Sequence, residues 1–229
     1  SQDVAQVIAA SNSGIPVAVF HEQVANWLRH AVHPRFRRPF TQLVYQPMLE
    51  VMNLLREHGF KIYIVSGGGQ DFIRVFSEKL YGIPPEYVIG SAGKVKYAYQ
   101  SDGTPVLLKL PEVLFIDDKG GKPEGINLMI GKHPVAAFGN SIGDQQMLEW
   151  TQANKKKSLQ LLVYHDDAER EYAYGANSKI GTFSHALMNE ARQRGWIVVS
   201  MKNDWKVIFS WQESLPKKDA DVHLMESVK

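Results

Sequence analysis

From Tyr45 onward the apolar positions switch repeatedly between two periods. In YQPMLEVMNLLREHG, Met48, Val51, Met52 and Leu55 fall at i, i+3, i+4 and i+7, the stripe of an amphipathic helix, and Gly59 ends it. FKIYIVS follows as a strand of β-branched and aromatic residues. After three glycines, QDFIRVFSEKLYG predicts a helix stopped at Gly82, and YVIGS predicts another strand. In KVKYAYQSDGTPVLLKL, Val95, Tyr97 and Tyr99 alternate, Ser-Asp-Gly turns, and Val106 to Leu110 returns, a β-hairpin signal. The polar loop DDKGGKPEG leads into a helical piece carrying Ile126 to Ile130. HPVAAFGN predicts a strand and GDQQMLEW a helix. LQLLVYH predicts the next strand, and DDAEREYAY a helix with two acids at its N-terminus, where the helix dipole favours them. SHALMNEARQRG is a further helix and WIVVSM a last strand.

Two stretches fit this rhythm less well. IPVAVF predicts a buried strand, but it runs straight into HEQVANWLRHAVHPRFRRPF, a basic amphipathic segment. Gln212 to Lys229 is mostly polar without a period and reads as a flexible tail or an expression scar. Alternating strands and helices with strongly apolar strands imply an α/β fold, a parallel sheet covered on both faces. Ligands of such sheets sit beyond the carboxyl ends of the strands. Those ends are Phe20, Ser66, Asn140 and His165.

Composition narrows the chemistry. The 229 residues are 44% hydrophobic and 22% charged, with a net charge of +2, too near neutral to argue for nucleic acid. Arg35, Arg37 and Arg38, with His30 and His33, form a basic cluster that reads as a solvated face or a contact for an anion. With no cysteine, thiol nucleophiles, disulfides and thiolate-bound zinc are excluded. No apolar run approaches the roughly 20 residues of a membrane helix. The opening SQDVAQVIAAS suits a mature N-terminus left after cleavage, which leaves the compartment open.

Three segments carry candidate chemistry. In IVSGGGQDF a hydroxyl ends a strand and glycines precede a helix. Ser66, Gly67 and Gly68 could therefore cradle an oxyanion with a hydroxyl and backbone N–H groups, although a tight turn alone would also use the glycines. No Gly-Lys-Ser/Thr follows, so this is not a nucleotide P-loop. In DDKGGKPEGI, Lys122 opens a helix and is placed to neutralise charge on a transferring group, while Lys119 reads as solvated. In AFGNSIGDQQML, Asn140 and Asp144 offer the hard oxygens that Mg²⁺ prefers, with helix capping by Ser141 or Asp144 as the alternative.

Taken together, a strand-end Ser before glycines, a lysine loop and GNSxGD, in this order, resemble the haloacid dehalogenase superfamily, closest to its phosphoserine-phosphatase-like branch. The resemblance covers roughly 41 to 211, with flanking stretches such as YGIPPEYVIGS and WIVVSMKNDWKVIF similar to an exported-looking group. It implies a Rossmannoid core over 1–20 and 41–211, with IPVAVF as first strand. Residues 21–40 would be the remnant of a helical cap, and 212–229 a tail. It implies a Mg²⁺-dependent phosphomonoesterase acting through an aspartyl-phosphate on a small phosphorylated substrate, without nucleic acid or membrane. Ser66 and Lys122 would be catalytic, Ser66, Gly67, Gly68 and Lys122 would bind phosphate, and Asn140 and Asp144 would hold the metal. The resemblance suggests an exported, periplasmic location and leaves a cytoplasmic one open.

One part of the pattern is missing. Family members carry an Asp-x-Asp loop directly after the first strand, and the first Asp attacks phosphorus. Here His21, Glu22 and Gln23 follow Phe20. Glu22 is the one nearby carboxylate, and a helical segment would turn it elsewhere. A segment not contained in this sequence, a deletion, and a naturally non-catalytic phosphate-binding relative all fit. His165, Asp166 and Asp167 could orient a substrate or simply begin a helix, and Arg74 could meet an anion or form a structural contact. Trp196, Trp205 and Trp211 read as packing.

Overall fold

The fold is seen in a computed structural model, which describes residues 10, 12–154 and 156–212. Its helices are α1 Val17–His30, α2 Gln46–Glu57, α3 Gln70–Arg74, α4 Ser77–Tyr81, α5 Gly121–Ile130, α6 Gln145–Gln152, α7 His185–Arg194 and α8 Met201–Asp204. Its strands are β1 Ile64–Gly69, β2 Val88–Tyr99, β3 Pro105–Phe115, β4 Ala136–Gly139, β5 Leu159–Tyr164 and β6 Ile197–Ser200. Strands and helices alternate through most of the chain, as the apolar pattern predicts, and the fold is α/β.

The strands form two sheets of three. In the first, β1 runs parallel to β2, and β2 pairs antiparallel with β3 as the long hairpin. In the second, β4, β5 and β6 are all parallel. Among the described residues β1 pairs with β2 alone and β4 with β5 alone. The two halves are joined through side chains. Ile89 of β2, Ile126 of α5, Ala137 of β4, Leu148 of α6 and Leu162 of β5 share one buried cluster, and Val65 of β1 packs against it. That apolar burial is the main force holding the halves in place. A second cluster, Val163, Met201, Trp205, Ile208 and Phe209, lies beneath α2, where Tyr45 and Met48 join it.

The expected first strand is not a strand. Within IPVAVF, the backbone around Ile15 and Pro16 is extended and lies antiparallel on the outer edge of β3. There Gly14 N–H donates to Lys109 O at 2.8 Å and Lys109 N–H donates to Ile15 O at 2.9 Å. Pro16 then caps α1, and Val17 to Phe20 become its first turn. The physical reason is that Phe20, Val24 and Trp27 extend a helical stripe through the apolar run. Val24 is buried, the Lys109 ammonium sits 4.5 Å above the Phe20 ring, and Trp27 stacks on Phe40 at 5.2 Å. A four-residue apolar run fits strand and helix alike, and its neighbours decide.

Two further expectations change. QDFIRVFSEKLYG forms two short helices, α3 and α4, broken at Val75 and Phe76. DDAEREYAY is an irregular loop. Asp167 accepts from the N–H groups of Glu169 and Arg170, and Arg170 reaches away to the carbonyls of Met201, Lys202, Trp205 and Lys206. That guanidinium ties the loop to α8 and leaves no helical path. Trp196 and Trp205 are buried, and Trp211 stacks on Phe209. The stretch read as a tail begins at Gln212, which closes a 3₁₀ turn, and otherwise lies outside the described residues. No helix among the described residues is long and apolar enough to cross a membrane.

Candidate active site

The carboxyl ends of β1 and β4 meet at the loop leading into α5. Lys122, in the first turn of α5, is buried with 5% of its surface exposed. Its Nζ donates to Val65 O of β1 at 2.7 Å and pairs with Asp144 Oδ1 at 2.9 Å. One ammonium therefore spans from the open edge of β1 to the turn after β4. A buried lysine needs such partners, because an uncompensated charge there is costly.

Asp144 is held from its other side. Its Oδ2 accepts from Asn140 N–H at 2.9 Å and from Ser141 N–H at 3.1 Å, while Ser141 Oγ accepts from Gly143 N–H at 3.2 Å. This is a capping box on the turn Ile142–Asp144. GNSIGD folds this way because Gly139 leaves room for the carboxylate. A Cβ on Gly139 would fall 2.5 Å from Asp144 Cβ. Gly139→Ala should displace Asp144 and with it Lys122, costing roughly 1–3 kcal/mol in chemical denaturation. An unchanged midpoint would show that the turn relaxes freely.

The loop after β1 is only partly the cradle expected. Ser66 is half-buried, and Gly67 to Gly69 are exposed. Gly68 N–H, read as a donor for an anion, is taken by Ser66 Oγ at 3.1 Å. The Ser66 hydroxyl proton and the Gly67 N–H are the donors that remain candidates. The register slips between Ser66 and Gly69, which takes Gly67 and Gly68 out of the ladder while Gly69 pairs with Ser91. Ser91 Oγ braces the loop by donating to Gly67 O at 2.9 Å.

Sequence reasoning overlooked two acids in the lysine loop. Asp117 is fully buried, and neither carboxylate oxygen has a well-formed hydrogen bond, the Ser66 peptide N–H being the donor nearest to serving it. Burial pushes its carboxyl up to about 6. The nearby Lys122 ammonium and the Ser66 peptide N–H offset part of that effect, and Asp118 and Asp144 add to it. Asp118 is exposed and sits between the two strand ends. A Cβ on Gly143 would meet its Oδ1 at 2.5 Å, and one on Gly67 would meet its Cβ at 3.9 Å. The signal was available: VLFID is an apolar run ending in a carboxylate, the same strand-end reading that singled out Ser66 and His165.

The other candidates stand apart from this centre. Asp166 accepts from Ser200 Oγ at 2.6 Å and from Lys202 N–H at 2.9 Å, a bracing role. His165 is buried and paired with Glu171, Nδ1 to Oε2 at 3.2 Å. Arg74 donates to Pro85 O at 2.9 Å, and Arg35 binds the carbonyls of Ala168, Glu169 and Glu171, so both are structural clamps. The Arg38 guanidinium lies 4.5 Å from the centre of the Trp211 ring. Lys119 is exposed, as is Glu22 on α1.

Residues 1–149 match the family of haloacid dehalogenase-like hydrolases. The chain belongs to that family. No curated protein matches the sequence. Among solved structures, a phosphoserine phosphohydrolase-like protein from Francisella tularensis subsp. tularensis SCHU S4 is similar over 52% of this chain and 50% of its own, at 24% identity and a TM-score of 0.35. This chain thus spans about half the length of that protein.

The Mg²⁺ implied by the haloacid dehalogenase resemblance does not fit the pair proposed for it. Asp144 Oδ1 faces the Lys122 ammonium and Oδ2 is engaged by two N–H groups, so both oxygens already serve other partners. Among the described residues no group of three or more His, Asp or Glu side chains is arranged to hold a metal. In this structure Asp144 is the counter-ion of Lys122 and the cap of its turn.

Proposed function

We propose that the protein is a phosphomonoester hydrolase of the haloacid dehalogenase type, and that the described residues supply the part of its site that binds the phosphoryl group. The observation that carries this reading is the buried Lys122 ammonium, fixed at the junction of two strand ends beside the Ser66 loop. A dianionic ester would gain a fixed cation and a hydroxyl donor at the place where parallel sheets bind ligands. The family's own chemistry adds an attacking aspartate and a metal. Among the described residues neither has an evident holder: the backbone around Phe20 is helical, Glu22 faces solvent, and Asp144 is occupied. No step is therefore assigned to them.

That same feature favours a second reading, a phosphate-binding scaffold without turnover. Hydrolysis of p-nitrophenyl phosphate, followed with and without added Mg²⁺, separates the two. Turnover above the buffer rate that disappears in Ser66→Ala supports the hydrolase. Phosphate binding with no product release supports the scaffold. Neither binding nor turnover would sink both.

A further inference from the structure

A cavity of about 300 Å³ shares Gly139 and Asn140 with the turn that holds Asp144, and residues of neither the lysine loop nor the glycine loop line it. It lies at the carboxyl ends of β4 and β5. Phe138, Gly139 and Asn140 line one side, Val163 and His165 another, and Tyr45, Met48, Tyr174, Ile180 and Gly181 complete it. Asn140 joins the cavity to the Lys122 centre, because its N–H is bonded to Asp144, which in turn pairs with Lys122.

The lining has one chemical character. His165 is 5% exposed, and its ring stands edge-on to Tyr45 at 5.5 Å and to Tyr174 at 5.0 Å between centroids. Its Nδ1 is committed to Glu171, which is itself buried. That pairing takes the carboxylate out of play as an anchor for a cation. Burial, with Glu171 close by, raises the Tyr45 phenol above its ordinary value, so it stays a neutral hydroxyl. Met48, Val163 and Ile180 supply apolar walls. Three ring systems set at steep angles, with aliphatic walls and no free charge, suit a flat uncharged ring, which prefers edge-to-face contacts. A cavity of roughly half this volume, lined by Leu, Ile and Phe side chains, accommodates benzene.

We propose that this cavity binds the aromatic alcohol portion of the substrate, so that the preferred esters are aryl phosphates. The inference rests on the phosphate-binding reading above and names its substrate class. The phosphoryl group lies towards Ser66 and Lys122, and the ring lies between Tyr45, Tyr174 and Ile180. His165 and Asn140 face the ring's polar substituents.

Calorimetric titration of the intact protein with four probes tests this: inorganic phosphate, phenol, phenyl phosphate and glycerol 2-phosphate. Phenyl phosphate is expected to bind at least about tenfold tighter than glycerol 2-phosphate, the gain from burying one ring face. Ile180 is 82% exposed at the rim, so Ile180→Asp should fold normally, and Tyr174→Ala removes one wall. Each variant should erase most of the aryl preference and leave the affinity for inorganic phosphate unchanged. Equal affinity for the two esters, or a preference untouched by both variants, overturns the inference while phosphate binding keeps the proposed function standing. Phenol binding without any phosphate binding has the opposite meaning: the cavity takes rings, and the aryl phosphate assignment falls with the proposed function.

Discussion

Lys122→Met is expected to destabilise the protein by roughly 3–5 kcal/mol, the usual cost of leaving one member of a buried ion pair alone. Asp144 would keep its two backbone donors but lose its cation, and Val65 O would lose the Lys122 ammonium as donor. The effect should exceed that of an ordinary surface change for a second reason. Lys122 joins the edge of β1 to the turn after β4, and no strand pairing does so among the described residues. Lys119→Ala is the control, since Lys119 is exposed in the same loop and should shift stability by less than about 0.5 kcal/mol. Urea denaturation of both variants measures the difference. A Lys122→Met protein within about 1 kcal/mol of wild type would mean that the ammonium contributes little to joining the halves.

The second large effect is a pH dependence set by Asp117. Burial pushes its carboxyl up to about 6 in the folded protein, against an ordinary value of 3.8. Between those values the folded chain holds a proton that the unfolded chain has released. The stability this provides is fully present below 3.8 and is lost as the pH rises through 6. The interval corresponds to roughly 3 kcal/mol. Asp117→Asn removes the titration, so the difference in stability between wild type and variant should move in the variant's favour by up to that amount from pH 4 to pH 7. Paired denaturation curves at both pH values give this directly, and other titrating groups cancel in the difference. A difference that stays constant with pH would show that Asp117 remains ionised when folded.

Much of this architecture was legible in the sequence for physical reasons that can be named. β1, β5 and β6 are short apolar runs bounded by turn residues, and α2 and α7 carry clear ends, including Gly195 in the left-handed conformation after α7. The hairpin was visible from its alternation and its Ser-Asp-Gly turn. Misreadings arose where local pattern was ambiguous or tertiary contacts decided. Val17 to Phe20 satisfy both periods, and the stripe through Val24 settles them as helix. Residues 166–174 have helical composition but are held open by Arg170 and Arg35, whose partners are distant in sequence.

At the site, the sequence pointed to Lys122, Asn140 and Asp144 as neighbours of chemistry, and the structure places them around one turn. It could not reveal that Asp144 would be engaged by Lys122 and its own cap, because that depends on how α5 meets β4. Asp117 was visible as the carboxylate ending the apolar run VLFID, but its full burial was not, because that depends on the elements packed around it. The basic cluster around Arg35 read as a solvated face or an anion contact; Arg35 is exposed, and its guanidinium is spent on three backbone carbonyls.

The central claim is that the junction of the Ser66 loop and Lys122 binds a phosphate group. Titration of inorganic phosphate into wild-type protein and into Ser66→Ala tests it most directly, because Ser66 is half-buried and its loss should leave the fold intact. The account predicts saturable binding to wild type that weakens about tenfold in the variant, the worth of one hydroxyl donor to a charged group. No binding to wild type, or equal affinity in the two proteins, would contradict it.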